Sequence, residues 1–111
     1  KPHPRNYACF PRYLTRFVRG KRLVSLEEAV RKMTSLPASR LGLTRRGRLQ
    51  PGCWADLVLF DPATVAETAT FAVPHQYPKG ISHVIVNGTM VVKNGAFTGA
   101  TPGKVLRKFE D

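Results

Sequence analysis

The segment Gly47-Arg48-Leu49-Gln50-Pro51-Gly52-Cys53-Trp54-Ala55-Asp56-Leu57-Val58-Leu59-Phe60-Asp61-Pro62 decides how the chain is read. Pro51-Gly52 makes a tight turn, and it feeds a strongly apolar strand over residues 55–60. Asp61-Pro62 closes that strand, because proline cannot donate to a sheet ladder. The strand is apolar on both faces, which suits a strand covered from both sides. This chain is short of material to cover it. Asp56 is a lone carboxylate at the strand's head.

Upstream of this segment the period is helical. Pro2 and Pro4 predict an extended start over residues 1–9. Phe10, Tyr13, Leu14, Phe17 and Val18 then recur at i, i+3, i+4, i+7 and i+8, one buried face of a helix that ends at Gly20. Arg12, Arg16 and Arg19 line the opposite face. Ser25-Leu26-Glu27-Glu28 is a capping box, followed by a buried stripe of Leu26, Ala29, Val30 and Met33. Pro37 to Gly42 predicts a third, short helix. Downstream, residues 63–80 read as irregular. His83–Val86, Asn87-Gly88 and Met90–Lys93 form a β-hairpin signal, and Asn94-Gly95 ends its second arm. The tail from Thr101 is expected to be a short basic helix. Two or three strands without a parallel partner make a poor isolated sheet.

A chain of 111 residues with 42% apolar content is one domain's worth of material with a modest core. It has no run of about 18 apolar residues, so no membrane-spanning helix is expected. Charge is the oddest feature. The net charge is +11, and residues 1–50 carry all of it, with thirteen basic and two acidic side chains. Residues 51–111 are neutral, so one half looks made to face a negative partner. Cys9 and Cys53 stand far apart in no metal-ligand spacing and read as two reduced thiols of a cytoplasmic protein.

The usual signatures of chemistry are missing. His3, His75 and His83 form no His-x-His or His-Glu-x-x-His pair, so no metal site is expected from this chain alone. No Gly-x-Ser-x-Gly elbow and no phosphate-binding glycine loop occur. Arg12, Arg16, Arg19, Lys21 and Arg22, with Tyr7, Phe10 and Tyr13 interleaved, are the residues a nucleic-acid surface would use. The aromatics have core spacing, however, which disfavours nucleic acid as the partner. A free-standing basic module that binds nucleic acid or another anion remains an alternative reading.

The segments taken together resemble one family. His3-Pro4-Arg5-x-Tyr7-x-x-Phe10-Pro11-Arg12 is similar to the segment after the last barrel strand in N-acyl-D-amino-acid deacylases, members of the metal-dependent amidohydrolase superfamily. The Gly47–Pro62 segment resembles the turn-and-strand signature of that superfamily, shared by many of its branches. Ala69-Thr70-Phe71, Val84-x-Val86-Asn87-Gly88 and Phe97-Thr98-Gly99 continue the likeness. Another branch, such as a dihydropyrimidinase-like enzyme, is the other alternative. One departure stands out: Ala8-Cys9 occupies a position where Gly-Thr is expected, and glycine reaches backbone angles that alanine cannot.

The resemblance implies an α+β piece of a larger enzyme. Residues 1–50 would be the helical end of a TIM-type barrel, and residues 51–111 the C-terminal strands and hairpin of a small, β-sandwich-like domain. The activity implied is zinc-dependent cleavage of the amide bond of N-acyl-D-amino acids, releasing a carboxylate and a D-amino acid. Zinc ligands and the proton-transferring Asp would lie on barrel strands outside these residues, leaving this piece inactive alone. Its partners would be the rest of the same enzyme and the substrate. Arg5 matches the position that contacts the substrate carboxylate, with His3 shaping the same loop. Pro51, Gly52 and Asp56 belong to the structural signature, with Asp56 expected to accept from backbone amides near the turn or to pair with a basic residue.

Overall fold

A computed structural model describes residues 2–107. Helix α1 spans Arg5–Tyr13 and runs on into wider, π-helical turns over Leu14–Gly20. Helices α2 and α3 span Leu26–Met33 and Ser35–Leu41. Strands β1 (Leu57–Phe60), β2 (Ile81–Val86), β3 (Thr89–Lys93) and β4 (Ala96–Phe97) follow and form one sheet in that order. The protein is thus α+β, helices first and strands second. Two compact units divide it: residues up to Ala29 with Phe60–Ile81, and Val30–Leu59 with the residues from Ser82 onward.

In the first unit, α1 begins at Arg5, inside the stretch expected to be extended. The prolines do not forbid this. Pro4 sits just before the helix with φ −53°, where a missing N–H costs nothing. The amides of Tyr7 and Ala8 both donate to its carbonyl at 3.1 Å. Ala8 and Cys9 are plainly helical, so alanine's restricted backbone is no obstacle at that departure from the family pattern. The inward face also differs from expectation. Ala8, Pro11 and Leu14 are buried, while Phe10 is 59% exposed. Ala8, Pro11 and Leu14 follow one another at intervals of three on the inward face, and Phe10 beside Pro11 faces out. The π-helical turns show directly in the bonding, with the Lys21 amide reaching back five residues to the Arg16 carbonyl at 2.8 Å.

Segment 60–81 lies along that helix in the opposite direction. His3 meets Phe71, Arg12 meets Glu67, and Arg19 donates to the carbonyls of Pro62 and Ala63 at 3.0 and 2.8 Å. Largely without regular structure, the segment still supplies core: Val65 and Ala69 are buried. Ala66 and Lys79 exchange backbone bonds of 3.0 and 2.9 Å, closing the stretch into a loop. Gly80 (φ 78°) sits where this loop closes on itself, and a Cβ there would lie 2.5 Å from the Val65 backbone. Only glycine fits that approach.

The Ser25–Glu28 cap, still in the first unit, leads into α2, with the Glu28 amide donating to the Ser25 hydroxyl at 3.2 Å. From Val30 to Leu59 the chain lies in the second unit. Helix α3 starts two residues earlier than expected. It ends in a left-handed Gly42 (φ 74°), with the Leu43 amide bonded to the Ala38 carbonyl at 2.9 Å. Pro51-Gly52 forms a turn in which the Cys53 amide donates to the Gln50 carbonyl at 3.1 Å and Gly52 takes φ 86°. Proline second and glycine third are what a type II turn requires.

The hairpin forms as expected, with Val86 opposite Thr89 and positive φ at both Asn87 (49°) and Gly88 (78°). Asn94-Gly95 does more than end the arm. It repeats the same turn (φ 50° and 78°) and adds β4, with Lys93 opposite Ala96. The sheet therefore has four strands, since β1 also joins β2. The Gly88 amide reaches the Ala55 carbonyl, and the Ser82 hydroxyl reaches that of Leu59, so the two strands run antiparallel. Val58 and Leu59, successive and hence on opposite faces, are 54% and 48% exposed, as expected of a strand with nothing to cover it. No helix forms over residues 101–107; the Pro102 carbonyl instead accepts from the Asn87 side chain at 2.8 Å. The rest of the expected tail helix lies outside the described residues.

Candidate functional site

The first turn of α1 carries Arg5, and the residues before it shape that turn. The Arg5 amide donates to His3 Nδ1 at 3.1 Å, and the Asn6 amide to the His3 carbonyl at 3.0 Å. His3 thereby takes helix-start donors that no earlier turn can take. Its ring meets Phe71 edge-on, with centroids 5.1 Å apart and planes at 83°. Tyr7, one turn on, packs on His75 with centroids 5.0 Å apart. Arg5 and His3 thus come together, as the sequence reading grouped them.

They line a cavity of about 290 Å³ together with Pro4, Ala8, Arg12, Glu67 and Phe71. Within it Arg12 is spoken for by Glu67, at 3.4 Å. No described residue takes the Arg5 guanidinium, which is exposed. A two-pronged donor with no internal carboxylate suits an incoming carboxylate. Glu67 escaped the sequence reading, because 55 residues separate it from Arg12 and no local pattern links them. In the sequence Phe71 carries no signal beyond its place in Ala69-Thr70-Phe71.

Asp56 sits elsewhere, in the second unit. One carboxylate oxygen accepts the Asn87 amide at 2.8 Å, and the other pairs with the Arg46 guanidinium. Pro51 and Gly52 make the turn upstream of it. All three shape the chain between α3 and β1, and Asp56 contacts the hairpin turn through Asn87; none lines the cavity at Arg5. Arg45, Arg46 and Lys104 surround the Trp54 ring at 5.3–5.8 Å, which uses part of the basic surplus as cation–π contact.

Among the described residues, no three His, Cys, Asp or Glu side chains come together as metal donors. The described residues therefore offer no donor set for a zinc ion, and no chemical step through a metal is derived from them. Cys9 is exposed and Cys53 half-buried, both as free thiols. No helix among the described residues is long and apolar enough to cross a membrane. Of the basic residues that a nucleic-acid surface would use, Arg12 and Arg19 are engaged internally, and Arg16 and Lys21 lie near the Phe17 ring.

The chain belongs to the Amidohydrolase family, whose pattern it matches over residues 1–92. Within that family it is 53% identical over 108 residues to the D-aminoacylase of Alcaligenes xylosoxydans xylosoxydans. The match covers 97% of this chain and 22% of that protein. A D-aminoacylase structure with copper superposes with a TM-score of 0.90 at 51% identity, over 95% of this chain and 22% of that one. The N-acyl-D-glutamate deacylase of Bordetella bronchiseptica, solved with zinc and a phosphonate mimic of the tetrahedral intermediate, gives 0.79 at 53% identity, over 81% and 19%. The chain thus spans about a fifth of the length of these relatives.

Proposed function

We propose that this chain is the C-terminal part of a zinc-dependent hydrolase that cleaves the amide bond of N-acyl-D-amino acids, releasing a carboxylate and a D-amino acid. The observation that carries this reading is identity above one-half, sustained over nearly the whole chain, to a D-aminoacylase. Residues 1–50 are assigned to the end of a TIM-type barrel and residues 51–111 to a small β-domain. The zinc is assigned to residues outside the chain. The two free thiols agree with a reducing, cytoplasmic setting.

This chain's contribution to the reaction is substrate binding. Arg5 projects from the first turn of α1, exposed and without an internal carboxylate, at a cavity it shares with His3. A guanidinium there holds a carboxylate by two parallel N–H···O bonds, which fixes both distance and orientation. Anchoring the substrate's carboxylate sets which face of the acylated carbon meets the reacting centre, and so favours one enantiomer. The anchor acts on ground state and transition state alike, so its loss appears mainly in KM.

Arg5→Lys in the full-length enzyme tests the assignment. Lysine keeps the charge and loses the fork, and KM for an N-acyl-D-amino acid is expected to rise by about tenfold or more. An unchanged KM removes Arg5 from the site.

A further inference from the structure

The anchor's helix is held by a residue far along the chain. Pro4 has no N–H to offer, so the Arg5 amide is the first donor of α1, and it goes to His3 Nδ1 at 3.1 Å. The orientation of the His3 ring therefore decides whether that bond forms. Phe71 faces that ring edge-on at 5.1 Å. Phe71 is itself fixed in a tight turn: the Thr70 amide donates to the Val73 carbonyl at 3.1 Å, and the Val73 amide to the Thr70 hydroxyl at 3.0 Å. In this chain Phe71 is 73% exposed.

From these contacts we infer that Phe71 is a positioning residue for Arg5, acting through His3. A T-shaped pair locks the imidazole, the imidazole takes the first amide of α1, and the first turn then presents the guanidinium in one orientation. This rests on the reading of Arg5 as the carboxylate anchor. It adds a residue 66 positions downstream, whose contact with His3 orients the Arg5 turn. Arg12 and Glu67 share the cavity, but their mutual pairing leaves the His3–Phe71 contact to set the Arg5 turn.

The test is a kinetic cycle in the full-length enzyme with an N-acyl-D-amino acid as substrate. Phe71→Leu is expected to raise KM by about three- to tenfold, the scale of a lost aromatic pair, with kcat little changed. Phe71→Tyr keeps the ring and is expected to restore the wild-type KM. In an Arg5→Lys background the Phe71→Leu effect is expected to vanish, because the fork it positions is already gone. Should Phe71→Leu lower the unfolding midpoint, His3→Asn and His3→Ala replace it. Asparagine retains a side-chain acceptor and should keep KM low, whereas alanine should raise it.

A KM raised by Arg5→Lys but untouched by Phe71→Leu or His3→Ala overturns the positioning role while leaving the anchor standing. Full additivity of Phe71→Leu and Arg5→Lys overturns it as well. An Arg5→Lys variant with wild-type KM removes the anchor, and the positioning role with it.

Discussion

Removing the carboxylate of Asp56 should loosen the hairpin turn, and the loss can be divided between its two contacts. One oxygen accepts the Asn87 amide at 2.8 Å, and the other pairs with Arg46, whose side chain is only 11% exposed. A hydrogen bond to a charged acceptor is worth about 1.5–3 kcal/mol. A fully buried ion pair broken on one side costs about 3–5 kcal/mol, but Asp56 is 32% exposed, which screens the pair well below that range. Asp56→Asn keeps an acceptor for the amide and loses the ion pair, so it should cost about 1–2 kcal/mol. Asp56→Ala loses both and should cost about 2–4 kcal/mol. Hydrogen exchange of the Asn87 and Gly88 amides reads this locally, whatever the rest of the enzyme does. Faster exchange at Asn87 in Asp56→Ala than in Asp56→Asn is expected, with Gly88 following because its amide is bonded to Ala55 beside Asp56. Equal exchange in both variants and the wild type would refute the structural role of this aspartate.

Gly80 and Gly88 share a φ of 78° but not their surroundings. Gly88→Ala meets nothing within 4 Å and should cost about 1 kcal/mol of backbone strain. Gly80→Ala places a Cβ 2.5 Å from the Val65 backbone and should disrupt segment 60–81 outright. Comparable unfolding midpoints for the two variants would contradict this. Asp61 accepts from the Ala63 amide and then the Thr64 hydroxyl, which together hold its carboxyl below the usual aspartate range. The unfolded chain therefore takes up that proton at higher pH than the folded one. Its stabilisation is complete above the usual range and fades as pH falls through the lower, folded value; Asp61→Asn should abolish that acid dependence at the Ala63 and Thr64 amides. The exposed Arg12–Glu67 pair should contribute under about 1 kcal/mol, and double-mutant coupling that survives molar salt would contradict that.

Local chemistry was legible where it is decided locally. Asn87-Gly88 accepts two positive φ angles, Ser25 offers a hydroxyl to the Glu28 amide, and Gly42 ends a helix in the left-handed region; each is a short-range rule. The start of α1 was missed because prolines bar a helix only where an N–H is needed, and at the first turn none is. Residues 63–80 read as irregular because the order of segment 60–81 comes from contacts with α1 and the π-helical turns after it, 43 to 55 residues away in Arg19–Pro62 and Arg12–Glu67. Strand β4 is two residues long, too short for any alternation to register. The charge split was plain in the sequence, but Arg45 and Arg46 about Trp54, and Arg19 on two carbonyls, show that part of it serves internal contacts. Arg5 stood out only through its likeness to a family segment, since a single exposed arginine carries no pattern of its own.

The central claim is that this chain anchors acyl-D-amino acids for amide cleavage, and enantiomer-resolved hydrolysis tests it most directly. N-acetylated D- and L-amino acids would be offered in pairs to the full-length enzyme, with free amine release measured by chiral chromatography. The account predicts release from the D-members and none of note from the L-members, with Arg5→Lys weakening use of the D-members. Inertness toward every acyl-D-amino acid, together with opening of a dihydropyrimidine ring, would contradict it and place the chain in another amidohydrolase branch.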